Sequence, residues 1–249
     1  MKTLFEFTEG MNPVATSYCP GCAHGIAHRL IMEALLERGD LGRTIAVAPI
    51  GCSIMAVNFM EVDICESMHG RAPAIASGIK RVHPNSLVFT YQGDGDLASI
   101  GTAEIIHAAQ RGEKISVFFI NNAIYGMTGG QMAPTSLIGQ KTTTSALGRS
   151  ADAQGKPLRM SEIIATIDGA VYVERVSLDS PANVRKAKKA VMRAFEVQNR
   201  NLGLGFVEFL SACPTNWGLE PVASVEWMRK EMIPYFPLGV LKEETNDDR

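Results

Sequence analysis

The chain has 249 residues, of which 46% are hydrophobic and 20% charged, with a formal net charge of −2. That balance describes a globular protein able to bury a good core, and it offers no electrostatic basis for binding nucleic acid or an anionic membrane surface. No apolar run approaches the ~18 residues of a membrane span, no secretory signal is visible, and five cysteines favour metal or redox chemistry over a disulfide framework, so the expected compartment is cytoplasmic.

Residues 1–17 carry no periodic signal and are expected to form an arm lying on a neighbour. Tyr18-Cys19-Pro20-Gly21-Cys22-Ala23-His24-Gly25 follows. A helix comes next, with Ile26, Leu30, Ile31, Ala34 and Leu35 on its apolar face and Gly39 at its end. Thr44–Val47 reads as a strand leading into Pro49-Ile50-Gly51-Cys52-Ser53. His69-Gly70-Arg71 precedes a small-residue helix over Ala72–Val82. Leu87–Tyr91 reads as a buried strand ending at Gly93-Asp94-Gly95. Apolar residues from Leu97 to Ala109 recur at helical spacing and Gly112 closes that helix; Ile115–Ile120 is a second buried strand, ending at Asn121-Asn122.

Residues 126–159 are polar and aperiodic; loops of this length inside a compact domain are usually functional or disordered, and a functional loop is expected here. A helix over Ser161–Ile167, a strand over Ala170–Val176, a helix over Ala182–Gln198 and a strand over Gly205–Leu210 complete the pattern. Ser180 is the expected N-cap of the long helix and Pro181 its first residue. Its Arg185, Lys186, Lys188, Lys189 and Arg193 read as a solvated face. Residues 242–249 read as a charged, disordered tail. Strands alternating with helices predict one doubly wound α/β domain over 1–249, a mostly parallel sheet with helices on both faces.

Open parallel sheets bind ligands beyond the carboxyl ends of their strands, where both polar clusters of the 93–122 unit fall. Asp94 sits between glycines that let backbone approach a ligand closely. Asp94, Asn122 and the Ile124 carbonyl offer hard oxygen donors, suited to Mg²⁺ or Ca²⁺. So few protein oxygens around Mg²⁺ imply that phosphates complete its shell, which predicts a Mg²⁺–diphosphate site. The alternative is a pair of glycine-rich turns capped by Asp and Asn. Cys19-x-x-Cys22 fits a zinc knuckle, a redox pair or iron–sulfur ligands. Cys52 and Cys213 each follow a predicted strand on the same sheet edge. Four thiolates there suit a [4Fe-4S] cluster or zinc, with inert buried thiols as a third reading.

Gly93-Asp94-Gly95, the stretch 96–120, then Asn121-Asn122 resembles the thiamine diphosphate motif. Its continuation, Ile124-Tyr125-Gly126-Met127-Thr128-Gly129-Gly130-Gln131, resembles the β subunit of the 2-oxoacid:ferredoxin oxidoreductases, and the likeness runs from Tyr18 to about Trp217. The resemblance implies the thiamine diphosphate-binding fold, with Gly51, Cys52, Ser53, His69, Gly70, Gly93, Asp94, Gly95, Asp96, Asn122, Ile124, Tyr125, Gly126, Met127 and Thr128 around the cofactor. It also implies Mg²⁺ on Asp94, Asn122 and the Ile124 carbonyl, and a [4Fe-4S] cluster on Cys19, Cys22, Cys52 and Cys213.

Two departures bear on that ligand set. Ala23 stands where the family commonly has Gly, and Cys213 precedes Pro214 where relatives often have Pro before Cys. Cys65 matches no family ligand and reads as structural, as do His28, His83 and His107; His24 reads as ordering the cysteine turn. His69 is the one histidine the resemblance puts beside the cofactor, in polar contact or proton transfer. The implied activity is CoA-dependent oxidative decarboxylation of a branched-chain 2-oxoacid or 2-oxoglutarate, with ferredoxin as electron acceptor. Implied partners are an α subunit carrying the pyrimidine-binding domain and activating Glu, with γ and ferredoxin-like δ subunits. Two alternatives stand beside it: a non-redox thiamine diphosphate decarboxylase or carboligase subunit, and a zinc-stabilised, non-catalytic binding module.

Overall fold

The computed structural model describes residues 6–244. In chain order its elements are α1 (His24–Arg38), β1 (Thr44–Ala48), β2 (Asp63–Glu66), α2 (Ala72–Val82), β3 (Leu87–Gly93), α3 (Thr102–Gln110) and β4 (Ser116–Asn121). Then follow α4 (Ala151–Gln154), α5 (Met160–Ala165), β5 (Ala170–Ser177), α6 (Pro181–Asn199), β6 (Leu204–Leu210), α7 (Pro214–Trp217), α8 (Pro221–Trp227) and β7 (Gly239–Glu243).

The strands form one sheet in the order β2-β1-β3-β4-β6-β5-β7, parallel throughout except that β7 runs antiparallel to β5. Strands covered on both faces have no polar side, which is why β3 and β4 read as unbroken apolar runs rather than alternating ones. Phe89, Tyr91, Phe118 and Ile120 point into one core layer beneath α1 and α6. Val88, Val117 and Phe119 point into the other, beneath α2, α3 and α5. In the first layer Phe118 meets Phe195 of α6 edge-to-face, ring centroids 5.2 Å apart. Ser180 caps α6 as expected, its hydroxyl accepting from the Asn183 amide at 3.3 Å.

The chain passes from β1 outward to β2 and then back across β1 to β3. The strand order therefore reverses between β1 and β3, and the crevice at such a reversal is the usual ligand site of an open α/β sheet.

Several elements depart from the sequence reading. β2 was not anticipated: Asp63-Ile64-Cys65-Glu66 is a short edge strand with exposed acidic ends, too brief to give a period. The predicted helix from Leu97 splits into a single π turn, Asp96–Ile100, and α3. The Gly101 N–H donates to the Asp96 carbonyl five residues back at 2.9 Å, an insertion common at functional sites. Residues 6–17 lie against their own chain, where Asn12 N donates to the Phe59 carbonyl at 3.1 Å; the start of the proposed arm, 1–5, lies outside the described residues. Lys242 and Glu243 belong to β7, so the proposed tail does not begin at 242; 245–249 lie outside the described residues. The basic face of α6 is partly tied down, with Lys188 on Glu33 and Glu37 and Arg193 on Glu243.

Gln198 shows how α6 is locked to the sheet. Val88 precedes the first β3–β4 pair, Phe89 with Ser116, so strand pairing leaves its amide and carbonyl without partners on that side. The buried Gln198 side chain supplies both: its Oε1 accepts from Val88 N at 2.6 Å and its Nε2 donates to Val88 O at 2.6 Å. Gln198→Leu removes both partners from buried backbone groups and should lower unfolding stability by about 2–4 kcal/mol, measured by chemical denaturation.

Candidate active site

Three strand ends build one cleft of about 110 Å³. β1 contributes Ile50 to Ser53, β3 contributes Gly93 to Asp96, and the segment after β4 contributes Asn122 and Ile124 to Thr128; His24 and His69 complete the wall. Every residue expected around a cofactor lines this cleft except Gly70. Gly70 has φ +77°, and a Cβ there would lie 2.6 Å from the Gly101 amide. Its own N–H donates to Asp96 Oδ1 at 2.6 Å. Its part is to bring the His69 loop against the π turn.

Asp94 is buried at the floor. Its Oδ1 accepts from the Gly95 amide at 2.8 Å and its Oδ2 from the Thr135 hydroxyl at 2.6 Å. Desolvation raises its pKa from 3.8 to about 6, against the pull of these donors and of the Ala123 and Ile124 amides. A buried carboxylate in that condition is short of positive charge. Gly95 must be glycine: a Cβ would fall 2.2 Å from the Tyr125 ring, which closes over it.

Asn122 is held across from it. Its Oδ1 accepts from Ile124 N at 3.3 Å, and its carbonyl accepts from the Trp217 indole at 3.1 Å. Between them Ala123 has φ +58°, a left-handed conformation that disfavours any residue with a Cβ. The strain is held from both sides. Asn121 Oδ1 accepts from the Ala123 amide, and the Ala123 carbonyl accepts from Ser136 Oγ at 2.6 Å and Gln140 Nε2 at 2.9 Å. Asn121 in turn donates to the buried Glu208 at 2.7 Å, and Glu208 accepts from Arg175 at 2.8 Å and from Ser161. Arg175, also buried, reaches on to Glu162. This network runs under the sheet and fixes the turn that presents Asn122. Removing one partner from such a buried pair is costly, whereas an apolar pair of equal volume is often no less stable.

Asp96 organises His69. Its Oδ1 accepts from His69 Nδ1 at 2.5 Å and its Oδ2 from Gln92 Nε2 at 2.7 Å. A carboxylate only accepts, so the ring proton is on Nδ1 and Nε2 is left for the cleft. His24 faces the cleft from the opposite wall. It stacks on Tyr18, ring centroids 4.7 Å apart, and its Nδ1 lies 2.6 Å from the Tyr91 hydroxyl. Burial lowers its pKa to about 4, so it is neutral.

The cysteines converge beside this floor. A Cβ on Gly126 would lie 3.5 Å from Cys213 Sγ and 3.6 Å from Cys52 Sγ. Burial pushes the Cys22 thiol up to about 12 and the Cys52 thiol up to about 11; Cys213, Cys52 and Cys19 add to the first, and Cys213, Cys19 and Asp94 to the second. Among the described residues no three His, Cys, Asp or Glu side chains gather tightly enough for a single metal ion. Cys213 and Cys52 lie beside the same residue, Gly126. Cys65 is on the edge strand β2 and packs against the core layer beneath α2.

Comparisons with known proteins show the family. Residues 50–200 match the family described as thiamine pyrophosphate enzyme, C-terminal TPP binding domain. The chain is 32% identical to the 2-oxoglutarate synthase subunit KorB of Archaeoglobus fulgidus, over 94% of this chain and 86% of that protein. The chain belongs to the 2-oxoacid:ferredoxin oxidoreductase family. It is 46% identical to the ketoisovalerate oxidoreductase subunit VorA of Methanothermobacter marburgensis, over 99% of this chain and 52% of VorA. The chain thus spans about half the length of the VorA relatives it matches. A 2-oxoglutarate:ferredoxin oxidoreductase from Magnetococcus marinus, solved with 2-oxoglutarate, coenzyme A and succinyl-CoA bound, superposes with a TM-score of 0.80 at 26% identity, covering 95% of this chain and 84% of that one.

Sequence reasoning missed His24 as a cleft residue, and missed Thr135, Ser136, Gln140 and the Glu208–Arg175 network. The only available signal was charge inside apolar strands: Arg175 and Glu208 interrupt β5 and β6 where a buried strand has no use for either.

The buried Asp94 makes a two-sided prediction. Below the unfolded pKa of 3.8 the carboxyl is neutral in both states and its burial costs no charge; above about 6 it is ionised in both and the folded, metal-free chain bears the full penalty. Asp94→Asn should therefore raise the melting temperature of the metal-free chain at pH 8, and the gain should shrink as pH falls through 6 towards 4. The same substitution should abolish Mg²⁺-dependent binding of thiamine diphosphate, measured by calorimetry.

Proposed function

We propose that this chain is the thiamine diphosphate-, Mg²⁺- and iron–sulfur-binding subunit of a 2-oxoacid:ferredoxin oxidoreductase. The enzyme oxidatively decarboxylates a 2-oxoacid, branched-chain or 2-oxoglutarate, to its acyl-CoA and CO2 and passes the electrons to ferredoxin. What supports this reading is the placing of Asp94 and Asn122 in one cleft at the β1/β3 reversal, with Cys52 on its wall and Cys213 beside its Gly126. A non-redox thiamine enzyme would have no use for the thiols, and a zinc module none for the Asp94 floor.

Asp94, Asn122 and the Ile124 carbonyl would hold Mg²⁺ and, through it, the diphosphate. Cys19, Cys22, Cys52 and Cys213 would hold a [4Fe-4S] cluster. When bound, thiamine diphosphate supplies the electron sink for decarboxylation. The chain's own residues do the rest. Tyr125 closes over Gly95 and keeps the floor dry, Asn216 donates to the Gly126 carbonyl at 3.0 Å to set the loop beside Cys213, and His69, oriented by Asp96, offers Nε2 as a proton acceptor or hydrogen-bond partner. An α-type partner would bring the pyrimidine-binding half and its activating Glu, and γ and ferredoxin-like δ chains would complete the assembly. The proposed compartment is the cytoplasm, where free thiols stay reduced.

Two experiments test the reading. Cys52→Ala or Cys213→Ala in anaerobically purified protein should lose most of its iron, whereas Cys65→Ala should keep it; a Cys65 requirement with Cys213 dispensable would refute the ligand set. The chain purified free of other polypeptides should show no 2-oxoacid-dependent viologen reduction until the partner is added, and full turnover by the chain alone would contradict the shared site.

A further inference from the structure

Resting on the function proposed above, we infer that Asn216 is a positioning residue for the electron-transfer half of the reaction. Its one side-chain amide ties the sulfur of Cys213 to the cofactor loop that leaves β4, and so sets the potential of a cluster held there.

The β4 loop and the cysteine after β6 are distant in sequence. They meet through α7, a single turn that starts directly after Cys213. Asn216 Nδ2 donates to the Gly126 carbonyl at 3.0 Å and to Cys213 Sγ at 3.4 Å. A primary amide has two N–H donors, so both are spent, one on each acceptor. These partners fix its orientation, since the reverse one would set Oδ1 against a carbonyl oxygen and a sulfur. Oδ1 then faces Gly130, where a Cβ would come within 3.2 Å of it.

Burial raises the Cys213 pKa, and hydrogen bonds from the Asn216 side chain and backbone amide oppose that rise. A neutral thiol is a weak acceptor and an anionic sulfur a strong one. Two N–H donors aimed at one sulfur therefore favour its anionic, metal-bound form, and favour it more as electrons accumulate on the metal. In a cluster held by Cys213 they stabilise the reduced state, because hydrogen bonds to the ligand sulfurs are one of the settings of cluster potential. Trp217, next on the same turn, has a different part. Its single indole donor goes to the Asn122 carbonyl at 3.1 Å, and its ring packs on Trp227 with centroids 4.5 Å apart. It braces the metal loop and leaves the sulfur to Asn216.

The test uses the anaerobic, cofactor-loaded complex. Asn216→Leu keeps the volume and removes both side-chain donors; Trp217→Phe keeps the ring packing and removes only the donor to Asn122. A redox titration followed by electron paramagnetic resonance reads the potential, on the signal that Cys213→Ala abolishes. Calorimetry reads the affinity for Mg²⁺–thiamine diphosphate. Asn216→Leu should shift the reduction equilibrium against the reduced cluster by about tenfold, ~59 mV for one electron. It should also weaken thiamine diphosphate by about fivefold, the worth of one hydrogen bond. Trp217→Phe should weaken the cofactor similarly and leave the potential where it is. A native potential in iron-replete Asn216→Leu would overturn the proposal, as would an equal shift in Trp217→Phe. If Asn216→Leu does not hold iron, Asn216→Asp, of the same shape and without a donor when ionised, takes its place with the same direction expected; loss of iron from both would make Asn216 a folding residue and also overturn the proposal. A native complex without iron, or one whose cluster survives Cys213→Ala, would instead overturn the ligand set beneath it.

Discussion

The site depends on the burial of one carboxylate. Asp94 lies at the end of a central strand, roofed by Tyr125 and the segment after β4, and burial disfavours its ionised form there. Much of the nearby structure serves to keep it in place. Thr135 and Gly95 fix its oxygens, Gly95 gives Tyr125 room to close, and the left-handed Ala123 turns Asn122 toward the same space. Cys52 and Cys213 lie beside the neighbouring Gly126, where burial favours their neutral thiol forms. The fold thus carries an unfavourable buried charge at Asp94, an exchange of stability for a preorganised polar site.

The fold supplies the convergence. Residues from Cys19 to Cys213 are distant in sequence, but strand order reverses between β1 and β3, and the loops leaving β1, β3, β4 and β6 open on the same edge. The Glu208–Arg175–Glu162 chain carries that order sideways, from β6 and β5 to the Asn121–Ala123 turn. Its charges are retained in a core where apolar residues would pack at least as well, which marks them as shaping the turn rather than adding stability.

Much of this was legible in the sequence because the signals are local. The Gly93–Gly95 and Asn121-Asn122 punctuation falls where apolar runs stop, so the two strand ends and their donors follow from composition alone. Periodicity likewise placed α1, α2, α5 and α6 to within about two residues of their ends. What stayed hidden is non-local or short. β2 has four residues and no period, and β7 is a charged segment made a strand by pairing with β5. The π turn at Asp96 interrupts a pattern that reads as continuous helix. His24 looked like a detail of the cysteine motif because nothing in its neighbourhood reveals that Tyr91, 67 positions away, turns it toward the cleft.

The central claim is that the diphosphate metal and the cluster share one cleft. Replacing Mg²⁺ with paramagnetic Mn²⁺ in the anaerobic, thiamine diphosphate-loaded protein and recording the electron paramagnetic resonance of the reduced cluster tests it directly. The account predicts faster relaxation and broadening of the cluster signal with Mn²⁺, absent with Mg²⁺ and lost in Asp94→Asn. A cluster signal indifferent to Mn²⁺ in protein shown to bind it at Asp94 would place the two centres apart and contradict the account.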